Sequence, residues 1–123
     1  MLVRGGSNLI EGAADPEGFS AGASQFDSDI TVGRHPRAAL GVNATELIAV
    51  VCDGRTLTES GLSLAELART MIELDAVDAI NLDGGGSATL VVGGQLVNVP
   101  HEEQGLAIPG GRSISTAISF SKT

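Results

Sequence analysis

The chain has 123 residues, a net charge of −8 and 42% hydrophobic residues, which suits one domain with a packed core and argues against disorder. Seven basic against fifteen acidic side chains argue against nucleic acid as the main partner, because a phosphate backbone rewards clustered Lys and Arg. No run approaches the ~18 apolar residues that a membrane crossing needs, and residues 1–4 open no signal-peptide pattern.

In chain order, Leu2-Val3 reads as a short strand, followed by a long loop over residues 5–33 rich in Gly, Ser, Ala and Asp. Residues 38–42 and 46–52 read as two strands joined by a turn at Asn43-Ala44-Thr45. The second has a continuous apolar run from Leu47, the pattern of a strand buried on both faces. It ends at Cys52, the single cysteine, read as a structural thiol. Residues 63–75 predict a helix: Ser63 and Glu66 form a capping box, and Leu64, Leu67, Ala68, Met71 and Ile72 share one face. Residues 77–82 read as the next strand. Residues 88–92 and 95–99 form a hairpin about Gly93-Gly94. After a polar loop, residues 113–120 alternate into a last strand, with Ile114, Thr116, Ile118 and Phe120 on one face. The expected fold is a single α+β domain, a mixed, largely antiparallel sheet packed against one main helix.

Three segments carry possible chemistry. The first is the run Asn-Leu-Asp-Gly-Gly-Gly-Ser at residues 81–87. Three successive glycines allow close backbone approach or positive φ, and successive N–H groups form anion nests. Asp83 stands at the mouth of a strand. The same residues also suit an ordinary glycine turn before a hairpin. The second is Arg34-His35-Pro36-Arg37, where two guanidinium groups ahead of a strand suit either a phosphate clamp or a solvated basic turn. The third is Asp53-Gly54-Arg55, a second carboxylate at a strand end or a plain Asp-Gly turn. Two facing carboxylates are what glycosidic cleavage uses. Six of the seven cations are Arg, which favours forked recognition of oxyanions.

The run over residues 61–92, with Asn81-Leu82-Asp83-Gly84-Gly85-Gly86-Ser87 at its heart, resembles the phosphodiester glycosidase family. So do residues 35–42, Asp53-Gly54-Arg55, Leu96-Val97-Asn98-Val99-Pro100 and Gly111-Arg112 with the segment after it. The resemblance covers residues 34–120. It implies a mixed α and β fold and hydrolysis of a sugar joined through its anomeric carbon to a phosphodiester. Matched by motif, it implies Asp83 and Asp53 as catalytic residues. Arg37, Asn81, Gly84, Gly85, Gly86, Ser87 and Arg112 become the substrate-binding residues. No cofactor is identified; Asp83 with Asp53 supply too few ligands to assign a divalent cation. The expected partner is a glycosyl phosphodiester or another carbohydrate phosphate, with no nucleic acid and no membrane.

Two departures from the family shape a second expectation. The family's upstream Asn-, Gly- and aromatic-rich strand motif is not in this sequence, and the sequence contains no Trp and no Tyr, the usual sugar-stacking platforms. A domain shortened at its N-terminus exposes sheet edges, which favours a homo-oligomer. It also admits a non-catalytic module that binds phosphate or sugar phosphate, or that completes its site with a partner chain.

Overall fold

The computed structural model describes residues 1–11, 33–101 and 106–122. Through these the chain forms β1 (Val3–Arg4), β2 (Ser7–Asn8), β3 (Arg37–Val42), β4 (Leu47–Cys52), α1 (Leu64–Glu73), β5 (Asp78–Asn81), a 3₁₀ turn (Gly85–Ser87), β6 (Val91–Val92) and β7 (Gln95–Leu96). Five strands make one sheet in the order β2-β1-β5-β3-β4, and β6-β7 form a separate hairpin. Every strand pairing is antiparallel, so the α+β expectation holds. Among the described residues no helix is long and apolar enough to cross a membrane.

Strand alternation explains where the core lies. Ala39 pairs with Val50 on one side and Asn81 on the other; Gly41 pairs with Ile48 and Ala79. These residues share the face that α1 covers. Leu2, Val3, Ile10, Ala39, Ala79, Leu64, Leu67, Ala68 and Met71 are buried there, with Ile48 and Val50 packed against them. Each Leu, Val or Met contributes roughly 1.5–3 kcal/mol on leaving water. Small residues on the sheet let the helix lie close. A Cβ on Gly41 would stand 2.6 Å from Met71 Cε and 2.9 Å from the Ala76 Cβ.

The helix starts where its sequence dictates. Ser63 accepts from the Glu66 N–H, and the Glu66 carboxylate accepts from the Ser63 N–H. It ends near Leu74, and Asp75 takes a left-handed φ of 66°, the usual way to leave a helix. Glu66 also accepts from Arg34. The Ser63 bond first, and Arg34 second, hold its carboxyl below the ordinary carboxylate range.

Four expectations change. The first strand does not run straight into a loop: Gly5-Gly6 turn it back as β2, and residues 12–32 of the expected loop lie outside the described residues. β4 is not buried on both faces. It is the edge of the sheet, only one face meets α1, and Leu47 on its other face is 49% exposed. The hairpin strands shrink to two residues each, because the Leu90 N–H turns to the Asn98 side chain at 2.8 Å, not to a backbone acceptor across the ladder. Residues 113–120 form no strand, and Phe120 is 58% exposed. Alternation groups side chains on one face, but a ladder also needs a free backbone edge alongside, and no described strand pairs with this segment.

Gly41→Val fills the space that the Met71 methyl occupies. Urea unfolding should show a loss of about 1–3 kcal/mol; unchanged stability would contradict the packing described.

Candidate functional site

Antiparallel register gathers the functional segments at one end of the sheet. β3 starts where β4 and β5 finish, since Arg37 faces Cys52 and Ala39 faces Asn81. Pro36-Arg37, Asp53-Gly54-Arg55 and residues 81–87 are therefore neighbours despite their separation in sequence. A shallow apolar hollow lined by Leu40, Val42, Asp78 and Ile80 lies toward the other end of the sheet and carries only one ionisable side chain.

The His35-Pro36 backbone is the pivot of this end. His35 forms a two-way bridge with Leu62 at 3.0 and 3.2 Å. A Cβ on Gly61 would collide with the His35 carbonyl, one on Gly54 would stand 3.0 Å from Pro36 N, and one on Gly84 would stand 2.7 Å from Pro36 O. The Gly85 N–H donates to Pro36 O at 2.9 Å, which seats the glycine run on the start of β3. Gly85 itself has φ 60°, favourable only for glycine.

The glycine run is partly self-bonded, which limits it as an anion nest. The Ser87 and Ala88 N–H groups donate to Gly84 and Gly85 carbonyls, both at 3.1 Å. The N–H groups of Gly84 and of buried Gly86 have no acceptor among the described residues. Asp83 lies past the end of β5, whose last link to β3 is Leu82 N–H to Ala38 O at 2.8 Å. It is exposed, and its carboxylate accepts no hydrogen bond among the described residues. Its place at the mouth of the strand leaves the carboxylate open to solvent. Asn81 ends β5 on the helix-facing side, and its Oδ1 is buried without a partner among the described residues.

Asp53 is engaged. Its Oδ1 accepts from Asn98 Nδ2 at 3.0 Å and its Oδ2 from the Val99 N–H at 3.1 Å. Asn98 also donates to Ala88 O at 2.7 Å and, through Oδ1, binds Leu90. One amide thus ties the end of β4, the end of the glycine run and the hairpin together. Cys52 beside it donates to Asp53 O at 3.2 Å. Burial first, and Asp53 second, push this thiol's pKa up, as suits a structural thiol and not a nucleophile.

The arginines divide. Arg37 is 4% exposed and spends Nε on Leu62 O and Nη2 on Gly33 O, both at 2.9 Å. Burial first, and the Arg55 guanidinium second, lower its pKa. It pins the approach to β3 more than it reaches outward. Arg34 pairs with Glu66 and donates to Ser60 Oγ at 2.8 Å, so both arginines of Arg34-His35-Pro36-Arg37 are already engaged by the protein itself. Arg112 donates to the Ser87 hydroxyl and is exposed. Arg55 lies over Gly85, whose Cβ would stand 3.1 and 3.2 Å from its two terminal nitrogens.

Asn98 and Arg55 were not singled out from sequence. Asn98 had a signal: it is the one polar residue in Leu96-Val97-Asn98-Val99-Pro100. Arg55 stood unassigned beside Asp53. Among the described residues no group of three or more His, Cys, Asp and Glu is placed to hold a metal.

The phosphodiester glycosidase family model matches residues 1–121, and the chain belongs to that family. It is 42% identical over 106 residues to the human N-acetylglucosamine-1-phosphodiester alpha-N-acetylglucosaminidase, covering 82% of this chain and 20% of that protein. It is 33% identical over 72 residues to the prophage-derived uncharacterized protein YomE of Bacillus subtilis, covering 58% and 11%. Among solved structures it resembles the catalytic domain of the zebrafish N-acetylglucosamine-1-phosphodiester alpha-N-acetylglucosaminidase, auto-inhibited by its pro-peptide. That match has TM-score 0.59 and 27% identity, covering 80% of this chain and 32% of that one. A hypothetical protein from Synechocystis gives TM-score 0.59 at 32% identity, covering 79% and 16%. The chain thus spans about a fifth of the length of the human relative.

Asn98→Ala removes the shared amide and leaves Leu90 N–H, Ala88 O and Asp53 Oδ1 without it. A loss of about 2 kcal/mol in stability and faster hydrogen exchange at the Leu90 amide are expected. An unchanged exchange rate would show that Asn98 does not hold the hairpin.

Proposed function

We propose that the protein hydrolyses a glycosyl phosphodiester, releasing the sugar and a phosphate monoester. The observation that carries this reading is an exposed Asp83, without a hydrogen-bond partner among the described residues, beside a glycine run flanked by Arg55 and Arg112. Family membership supports it, and the human relative's name specifies N-acetylglucosamine joined to a 1-phosphodiester. Water adds to the anomeric carbon while the bond from that carbon to the phosphate oxygen breaks. The electron pair leaves with the phosphate monoester, and the water proton passes to Asp83 and on to solvent. Charge gathers on the departing phosphate oxygens. Arg112, Ser87 and the Gly84 and Gly86 N–H groups stabilise it from the glycine side. Asn81 and Gly85 shape the floor. Arg37 supports that floor from beneath, and Asp53 positions it through Asn98 instead of attacking. A phosphate leaves readily without a strong general acid, so a single open carboxylate suffices in this scheme.

The free edge of the sheet favours one second reading: a module that binds a carbohydrate phosphate without turnover, or completes its site with a partner chain. Among the described strands β4 is hydrogen-bonded to β3 alone, at the edge of the sheet, which supports pairing with a second copy.

Asp83→Asn should lower kcat on a glycosyl phosphodiester by about 10²-fold or more and leave thermal unfolding unchanged, since the carboxylate is exposed. Undiminished turnover would remove Asp83 from the chemistry. Tight binding of a sugar 1-phosphate with no turnover by the unaltered protein would favour the module.

A further inference from the structure

Arg55 is the guanidinium that this fold holds in an unusual way. Its backbone has φ 61°, a left-handed conformation that costs a non-glycine residue roughly 1 kcal/mol. Gly54 before it is wedged against Gly61 and Pro36, so the chain cannot relax by shifting. This backbone turns the side chain across the glycine run, where Gly85 leaves the space that a Cβ would take from it. Arg55 is half-buried, yet its hydrogen bonds are long: Nη1 to His101 O at 3.2 Å, and Nη2 beside His35 Nδ1 at 3.5 Å. No carboxylate pairs with it among the described residues. In a chain of net charge −8, a forked cation kept from every described acid and aimed over a glycine turn is arranged for an anion that arrives from outside.

We propose that Arg55 is the specificity residue for the phosphate half of the substrate: it grips the non-bridging oxygens of the phosphodiester over Gly85, opposite Arg112. The proposal rests on the glycosidase reading above and deepens it. Arg55 would strengthen its hold as the second negative charge develops on the departing monoester, and would have no non-bridging oxygens to grip on a sugar whose aglycone carries no phosphate. Selection of a phosphate-linked substrate over an ordinary glycoside then lies largely in this side chain.

The test compares the unaltered protein with Arg55→Ala, Arg55→Lys and Arg55→Gly on two substrates: the benzyl phosphodiester of N-acetylglucosamine 1-phosphate, and 4-nitrophenyl α-N-acetylglucosaminide. Arg55→Ala should lose about 10²-fold in kcat/KM on the diester and leave the aryl glycoside essentially unchanged. Arg55→Gly, which accepts the left-handed backbone, should behave alike and so separates charge from folding. Arg55→Lys should recover part of the loss, keeping charge without the fork. Equal losses on both substrates, or none on either, would overturn the proposal. If the unaltered protein turns over neither substrate, the glycosidase reading fails, and calorimetric titration with N-acetylglucosamine 1-phosphate decides the role of Arg55. Binding weakened about tenfold or more by Arg55→Ala upholds it as an anion-binding residue; equal binding, or none to the unaltered protein, overturns it.

Discussion

The His35-Pro36 backbone, enclosed by Gly54, Gly61 and Gly84, is the constraint on which the functional end of the molecule depends. A side chain at any of the three would strike it or press against it. Interiors packed at this density do not yield to a methyl group without moving backbone. Close approach lets three separate turns meet at the start of β3, and it sets the height of the glycine run through the Gly85 to Pro36 bond. Asp83, Ser87 and Arg55 take their places from that contact.

Beneath it, the pairing of β3 with both β4 and β5 brings the site residues to one end, and α1 holds that pairing by covering a single face. The small side chains of Ala39, Gly41 and Ala79 admit the helix, so the sheet can be thin at its centre and still be anchored. Asn98 does the corresponding work on the far side of the glycine run. It converts a potential longer hairpin into a short one, and in exchange fastens that hairpin to Asp53.

Local rules carried much of the fold into the sequence. Ser63 with Glu66 and a repeat of three and four located α1 because caps and helical faces are encoded within a few residues. Gly93-Gly94, both with positive φ, marked a hairpin turn for the same reason. Edge or centre is a property of the whole sheet, and so the apolar run of β4 read as doubly buried. Residues 113–120 show the same limit, since alternation cannot say which backbone lies alongside. At this end of the sheet, composition and strand position made legible that a glycine run and Asp83 follow β5. The fate of Arg37, bound to the Leu62 and Gly33 carbonyls, was not, nor was the use of Asp53 by Asn98 and Val99. A charged side chain in a sequence does not disclose which carbonyl or amide will claim it.

The electrostatics follow the same geometry. The chain repels anions overall, so recognition of a phosphate must be local and short-ranged. On the reading proposed above Arg55 and Arg112 supply it, Arg37 being buried on the Leu62 and Gly33 carbonyls. The central claim is that this sheet end, and not the apolar hollow near Leu40 and Val42, receives a phosphorylated sugar. Amide and guanidinium NMR shifts during titration with N-acetylglucosamine 1-phosphate test it most directly. The account predicts saturable changes at Gly84, Gly86, Ser87 and the Arg55 and Arg112 side chains. Changes confined to the face around Leu40, Val42 and Ile80, or none at saturating ligand, would contradict it.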